Sequence, residues 1–196
     1  FELLSPEDFH YKNTKYNSKL KLPIGYSPLA DVSPHDLNAK QVWNYLKKRN
    51  ISKQIVEKYK IGFTTEGEYK FRVIVPSYNI KDELQFFIAR SYVNSKLKYK
   101  NPEQEKSNLI FNEGHIDWYK DIYLVEGVFD MFFVENSIPL LGKVVSDNLW
   151  QRLYEESKAN IIICLDGDAW DDAVKLYEKI NGGKLRGRIK IVKLPD

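Results

Sequence analysis

Two short apolar runs in the second half of this chain end in carboxylates, Tyr123-Leu124-Val125-Glu126-Gly127 and Ile163-Cys164-Leu165-Asp166-Gly167-Asp168. Each has the composition of a buried strand, and in an open parallel sheet ligands collect at the carboxyl ends of the strands. Glu126, Asp166 and Asp168 are therefore expected at the mouth of one crevice. If extended backbone persists through Gly167, the side chains of Asp166 and Asp168 project from the same side. Gly127 and Gly167 leave room for a ligand close to the backbone. Three carboxylates without a basic partner repel one another, and a divalent cation that takes hard oxygen ligands, Mg²⁺ or Mn²⁺, relieves the repulsion. Asp130, one helical turn after Glu126, is a candidate outer metal ligand. Plainer readings exist for each acid alone: Asp168 caps the next helix, Glu126 is a solvated strand end, and Asp130 sits where a helix dipole favours an acid. The two acid-ended strands together favour the metal site.

A second set of residues is basic. Lys96, Lys98 and Lys100 alternate, so in an extended segment their ammonium groups share one face. Arg72 and Arg90 lie in two β-branched and aromatic runs, Phe71 to Tyr78 and Leu84 to Val93, which flank the turn-prone Asn79-Ile80-Lys81-Asp82-Glu83. The expected element is an antiparallel β-hairpin whose arginines and neighbouring lysines form a basic ridge suited to phosphates.

The elements around these residues divide the chain. Residues 1–37 hold scattered prolines and no sustained period, as in an extended arm or linker that wraps something. From Asn38 to Asn50 the apolar residues Val42, Trp43, Tyr45 and Leu46 have helical spacing, and Ser52 then caps a second helix with Ile55, Val56 and Tyr59. After about Asp121 short strands alternate with helices: Ile122 to Glu126, a helix to Asn136, Ile138 to Gly142, a helix from Asp147 to Ser157, Ile161 to Asp166, a helix from Trp170 to Ile180, and Ile189 to Leu194. The expectation is an α/β protein: a parallel sheet flanked by helices over 119–196, preceded by a smaller α+β subdomain over 38–118 that carries the basic hairpin.

Composition is that of a folded soluble protein, 43% hydrophobic and 29% charged. No apolar run comes near the length of a membrane span. The single cysteine, Cys164, excludes an intramolecular disulfide and a cysteine zinc site, and its apolar run reads as buried core. No signal peptide is legible, and a reducing, cytoplasmic compartment is expected. The chain begins at Phe1 and its only methionine is Met131, as expected of a segment of a longer chain. A net charge of 30 − 27 = +3 is too small to argue nucleic-acid binding without the distribution. His10, His35 and His115 lack a partner motif and read as surface or structural residues.

Val125-Glu126-Gly127-Val128-Phe129-Asp130, Leu141-Gly142 and Leu165-Asp166-Gly167-Asp168 resemble the Toprim signature of DnaG-type primases, topoisomerases and some nucleases. Ahead of it, Phe71-Arg72-Val73-Ile74-Val75-Pro76, Phe87-Ile88-Ala89-Arg90 and Leu97-Lys98-Tyr99-Lys100-Asn101-Pro102-Glu103 resemble three successive primase-core motifs, and Tyr45 to Ser52 resembles the helical lead-in. The resemblance, from about residue 38 onward, implies a DnaG-type DNA primase catalytic core. Such a core makes short RNA primers on single-stranded DNA from ribonucleoside triphosphates during DNA replication, with Mg²⁺ or Mn²⁺, beside a replicative helicase. It implies catalytic and metal roles for Glu126, Asp166 and Asp168, with Asp130 as a further metal residue, and nucleotide or DNA contacts for Arg72, Arg90, Lys98, Lys100 and Lys143. A Toprim nuclease and a non-catalytic single-stranded DNA-binding fragment are the alternatives. Departures stand out: Glu113 occupies a position usually basic, Ala169-Trp170-Asp171 follows Asp168 where Arg-Ala-Gly is usual, and Lys143 follows Gly142. These bring the chain closer to phage-encoded primases. Lys193-Leu194-Pro195-Asp196 resembles the approach to a further acidic motif, so the Toprim region is expected to be truncated at its C-terminus.

Overall fold

The computed structural model describes residues 20–104, 109–142 and 145–193. The chain divides into two compact units, one over Ser18–Gln104 and one that includes Glu105–Asp196. The sequence-based boundary at 118 falls later than this division. Residues 109–118 go with the second unit because Ile110 is fully buried in its core and Ile116 and Trp118 pack against the same cluster.

The first unit is a four-stranded antiparallel sheet in the order β1 (Ser27–Pro28), β2 (Gly62–Thr64), β3 (Arg72–Tyr78), β4 (Leu84–Ser91). The expected hairpin is β3 and β4, paired from Arg72↔Ser91 to Tyr78↔Leu84 with a bulge at Ser77/Tyr78. Its turn is organised by Asn79, whose Oδ1 accepts from the backbone N–H of Lys81 and of Glu83 at 2.9 Å each. Both faces of the hairpin are buried, so its strands read as nearly continuous apolar runs. Ile74, Phe87 and Ala89 form one buried face, covered by Leu20, Leu22, Tyr26 and Tyr69. The described part of the expected arm therefore wraps this unit's own sheet and ends as its edge strand; residues 1–19 lie outside the described residues.

Between β1 and β2 stand α1 (Leu37–Lys47) and α2 (Lys53–Lys58). Asp36 caps the first, its Oδ1 accepting from Ala39 N–H at 2.8 Å. Ser52 caps the second, its Oγ accepting from Ile55 N–H at 3.3 Å. Ala39, Val42, Leu46 and Val56 form the buried stripe of the pair.

The second unit is a four-stranded parallel sheet in the order β6 (Ser137–Pro139), β5 (Ile122–Val125), β7 (Ile161–Cys164), β8 (Ile189–Ile191). The helices α3 (Val128–Met131), α4 (Asp147–Glu156) and α5 (Trp170–Ile180) connect successive strands. Leu124, Ile138, Leu153, Ile161, Ile163 and Ile180 are buried at 1% exposure or less, which marks the core between sheet and helices. The expected helix up to Asn136 is only one turn long. Asn136 adopts a left-handed backbone (φ 52°), and its amide donates to the carbonyls of Asp117 and Asp121 at 2.9 Å each, a bracket that turns the chain into β6. Strand β6 likewise stops at Pro139, before Leu141 (φ 53°) and Gly142 (φ 148°). No helix among the described residues is long and apolar enough to cross a membrane.

Candidate active site

The strand order places the crevice. From β5 the chain crosses by α3 to β6 on one side, and from β7 it crosses by α5 to β8 on the other, so β5 and β7 are adjacent strands whose connections diverge. That divergence opens a gap at their carboxyl ends. Glu126 follows β5 and Asp166 follows β7, and Val125 and Cys164 are paired in register. One carboxylate oxygen from each of Glu126, Asp166 and Asp168 lies within 4.8 Å of the others, with Glu126 half-buried and both aspartates exposed.

The means by which Asp168 joins the group differs from the sequence-based expectation. Extended backbone does not persist through Gly167: β7 ends at Cys164, and Gly167–Ala169 form a 3₁₀ turn closed by Ala169 N–H donating to the Asp166 carbonyl at 2.9 Å. The tight turn, not the two-residue strand period, brings the two aspartates together. Asp168 does not cap α5, whose first-turn N–H groups receive no side-chain cap. Leu165, 2% exposed, anchors the turn to the core between the strand and the first aspartate.

Asp130 is not one of the three acids whose oxygens meet within 4.8 Å. Its Oδ2 accepts from Gly127 N–H at 2.8 Å and starts α3, so it fixes the backbone next to Glu126. A Cβ on Gly127 would lie 3.0 Å from that oxygen, which favours glycine there. Cys164 is half-buried, not fully buried as its apolar run suggests, because it is the last residue of β7. Burial, Asp130 and Asp166 push its thiol pKa above the ordinary value. Glu113, at the position where a basic residue is usual, is buried and pairs with Arg152 of α4, Oε1 to Nη2 3.4 Å. Arg152 also pairs with Glu156 and lies over the Trp118 ring at 5.0 Å. His35 and His115 are exposed and outside the acidic group; His10 and Lys143 lie outside the described residues.

The donor set suits a divalent ion. Three carboxylate oxygens at this spacing approach the span of about 4 Å across an octahedral Mg²⁺ or Mn²⁺ site, and hard oxygen ligands are what those ions take. None of the ion pairs among the described residues engages Asp166 or Asp168. The cluster could thus hold a metal ion.

In the first unit the expected basic residues separate by environment. Arg72 is 7% exposed. Its guanidinium donates to the carbonyls of Leu97 at 3.1 Å and Lys98 at 3.3 Å. Burial lowers its pKa. It holds the 97–98 backbone in place. Arg90 lies over the Tyr99 ring at 4.7 Å from the centroid and donates to the Tyr99 hydroxyl. Residues 98–100 run antiparallel beside the end of β4: Ser91 N–H donates to the Lys98 carbonyl, and Lys100 N–H donates to the Ala89 carbonyl, each at 2.9 Å. Asn101 adds a side-chain clasp, its Oδ1 accepting from Ala89 N–H at 3.2 Å. The segment is therefore extended at Lys98 and Lys100 as the alternation requires. Lys98 is exposed, while Lys100 is half-buried and paired with Glu68 at 2.8 Å.

Two residues not singled out from sequence join this ridge. Arg49 lies over the Tyr45 ring at 5.1 Å, and both Tyr45 and Arg49 act electrostatically on the Tyr99 hydroxyl. Burial raises the Tyr99 pKa, and Arg90 opposes the rise. Two tyrosines and two arginines thus gather at Tyr99, the residue that follows Lys98 in the chain. The Tyr-x-x-x-Arg spacing at 45 and 49, one helical turn, was the available signal.

No family model matches the chain. In sequence it is similar to the DNA primase of Mycoplasma genitalium, 30% identical over 132 residues that cover 60% of this chain and 22% of the relative. The DNA primase of Rickettsia bellii is 26% identical over 175 residues, 66% of this chain and 29% of the relative. The chain spans less than a third of the length of either. In fold it matches the DnaG primase catalytic domain bound to ssDNA with a TM-score of 0.68 at 21% identity, over 83% of this chain and 68% of that one. The primase fragment of the bacteriophage T7 primase-helicase matches with a TM-score of 0.60 at 18% identity, over 76% of this chain and 64% of that one. The chain is thus related in sequence to the DNA primases and has the fold of the DnaG-type catalytic core.

Proposed function

We propose that this chain is the catalytic core of a DNA primase, joining ribonucleotides into short primers on single-stranded DNA. The observation that carries this reading is the convergence of Glu126, Asp166 and Asp168 at the carboxyl ends of two adjacent parallel strands. Kinship to primases, and a fold match that spans most of the chain, favour primer synthesis over hydrolysis by a Toprim nuclease.

Glu126, Asp166 and Asp168 would hold the ion, Mg²⁺ or Mn²⁺. When bound there, such an ion supplies charge stabilisation for a triphosphate attacked at its α-phosphorus by a primer 3′-hydroxyl. Asp130 fixes the turn that presents Glu126, and the 3₁₀ turn fixes the spacing of the two aspartates. Arg90 and Lys98 would bind phosphate oxygens of template or triphosphate, with Tyr99 and Tyr45 offering ring faces to bases. Arg72 acts through the backbone of Leu97 and Lys98 and is a positioning residue. Lys100 and Lys143 are assigned weaker phosphate contacts.

Single-stranded DNA as template accords with the ssDNA-bound DnaG domain, and a replicative helicase as partner accords with the T7 primase-helicase. Replication in the cytoplasm, of a bacterial host if the chain is phage-encoded, is the setting this implies. The test incubates the chain with single-stranded DNA, ribonucleoside triphosphates and Mn²⁺, beside Asp166→Asn. Oligoribonucleotides that fall by about 100-fold or more in the variant are expected, the loss typical of removing one electrostatic stabiliser. Shortened DNA with no RNA product would identify a nuclease instead, and neither product would leave a binding fragment.

A further inference from the structure

The segment from Lys184 to Lys190 contains four basic side chains, Lys184, Arg186, Arg188 and Lys190, and no acid. It runs from the turn after α5 into β8, with Lys190 at the middle of that strand. The turn is firmly built: Leu185 is fully buried in the core, and Arg188 donates to the Ser157 carbonyl at 2.8 Å, the Ser157 hydroxyl at 2.9 Å and the Ala159 carbonyl at 3.0 Å. Gly183 (φ 52°) and Gly187 (φ 79°) take left-handed conformations, which glycine adopts without strain. Gly187 N–H donates to Asn181 Oδ1 at 3.3 Å.

This frame presents Lys184, Arg186 and Lys190 to solvent. Lys184 lies over the Tyr154 ring at 4.4 Å, Lys190 acts electrostatically on Asp121, and none of the three forms an ion pair among the described residues. The turn immediately precedes β8, which pairs in parallel with β7 from Ile161↔Ile189 onward, whereas Asp166 follows the far end of β7. Lys184 and Arg186 are therefore at the end of the sheet opposite the carboxylates, and Lys190 follows them on β8, outside the catalytic crevice.

Three cations spread along one turn and the strand it enters match a repeating anion better than a single one. A protein partner fits poorly, because the turn exposes no aromatic or aliphatic anchor of the kind that carries protein interfaces. Its own apolar side chains, Leu185 and Ile189, are buried, and Val192, two residues beyond Lys190, is a small exposed aliphatic and not an aromatic anchor. We propose that Lys184, Arg186 and Lys190 form a second contact for single-stranded DNA, gripping backbone phosphates of template that lies beyond the stretch being copied. This inference rests on the reading of the chain as a primase core.

The test measures binding of the full chain to a short single-stranded oligonucleotide of about 8 nucleotides, within ordinary single-strand site sizes, and a long one of about 40, well beyond them. The variant is Lys184→Gln/Arg186→Gln/Lys190→Gln, with its melting temperature checked against the parent. The long strand should bind about tenfold more weakly to the variant, and the slope of log affinity against log salt should shrink by about 2, from about 0.7 per lost phosphate contact. Short-strand affinity and primer synthesis on a short template should be unchanged. Lys184→Arg/Lys190→Arg should bind the long strand like the parent. Equal long-strand affinity and slope in parent and Gln variant would overturn the inference, including the case in which the turn serves an acidic protein. A parent chain that binds neither strand would instead sink the primase reading beneath it.

Discussion

The parallel unit and the antiparallel unit carry their candidate residues in different ways. In the parallel unit Glu126 and Asp166 stand just beyond β5 and β7, so strand order brings those two together, and a local 3₁₀ turn adds Asp168. In the antiparallel unit the basic residues lie along strand faces and on a segment that joins β4 by an isolated bridge. There the role of each side chain depends on what packs over it: Arg72 is buried against two carbonyls, whereas Lys98, whose carbonyl it holds, is exposed. A site at strand ends follows from topology. A site on strand faces follows from packing.

Metal addition gives the largest expected effect that separates the two units. Mn²⁺ at about 100 times its dissociation constant should stabilise the chain by about 2.7 kcal/mol. In hydrogen exchange the added protection should fall on β5 and β7 and spare β3 and β4. Asp166→Asn should remove it, and equal protection of both sheets would break the contrast. The arginines give the next effect. Arg72→Met should destabilise by about 2 kcal/mol, through loss of charge-assisted bonds that leave two carbonyls less well satisfied. Arg90→Met should cost about 1 kcal/mol or less, since cation–π contacts at half-exposed sites are worth no more, yet weaken single-stranded DNA binding directly. Chemical denaturation beside anisotropy titration checks the pair, and a reversed order would mean that burial does not divide their roles.

The smallest effect is electrostatic. Asp121, at the entrance to β5, accepts from the backbone and side-chain amides of Asn160 at 2.9 Å each. These bonds, with Lys190 adding to them, hold its pKa below the ordinary carboxylate value. A depressed folded pKa contributes stability that is present above the unfolded value and lost as pH falls through the folded one. Melting temperatures followed from neutral pH to about pH 3 should therefore show a shallower acid decline in Asp121→Asn than in the parent. Parallel acid limbs would remove Asp121 from the account.

Much of this was legible because it is local. The helix start at Ser52, the hairpin around Asn79, the alternation of strands and helices after residue 121, and the acids at two strand ends are encoded in neighbouring residues. Over such distances capping groups and hydrophobic period act directly on the backbone. The length of α3 was not legible: the bracket that ends it joins Asn136 to Asp117 and Asp121, 19 and 15 residues away. The pairing of Glu113 with Arg152 was hidden for the same reason.

The sequence by itself determined that Glu126 and Asp166 would end apolar strands, because strand-forming runs and the glycines that stop them are written in consecutive residues. Only the tertiary structure decided that those strands are neighbours with diverging connections, that a 3₁₀ turn carries Asp168 to the others, and that Arg72 turns inward. Those outcomes depend on which distant backbone carbonyls and apolar surfaces need covering, and no short window of the chain contains that information.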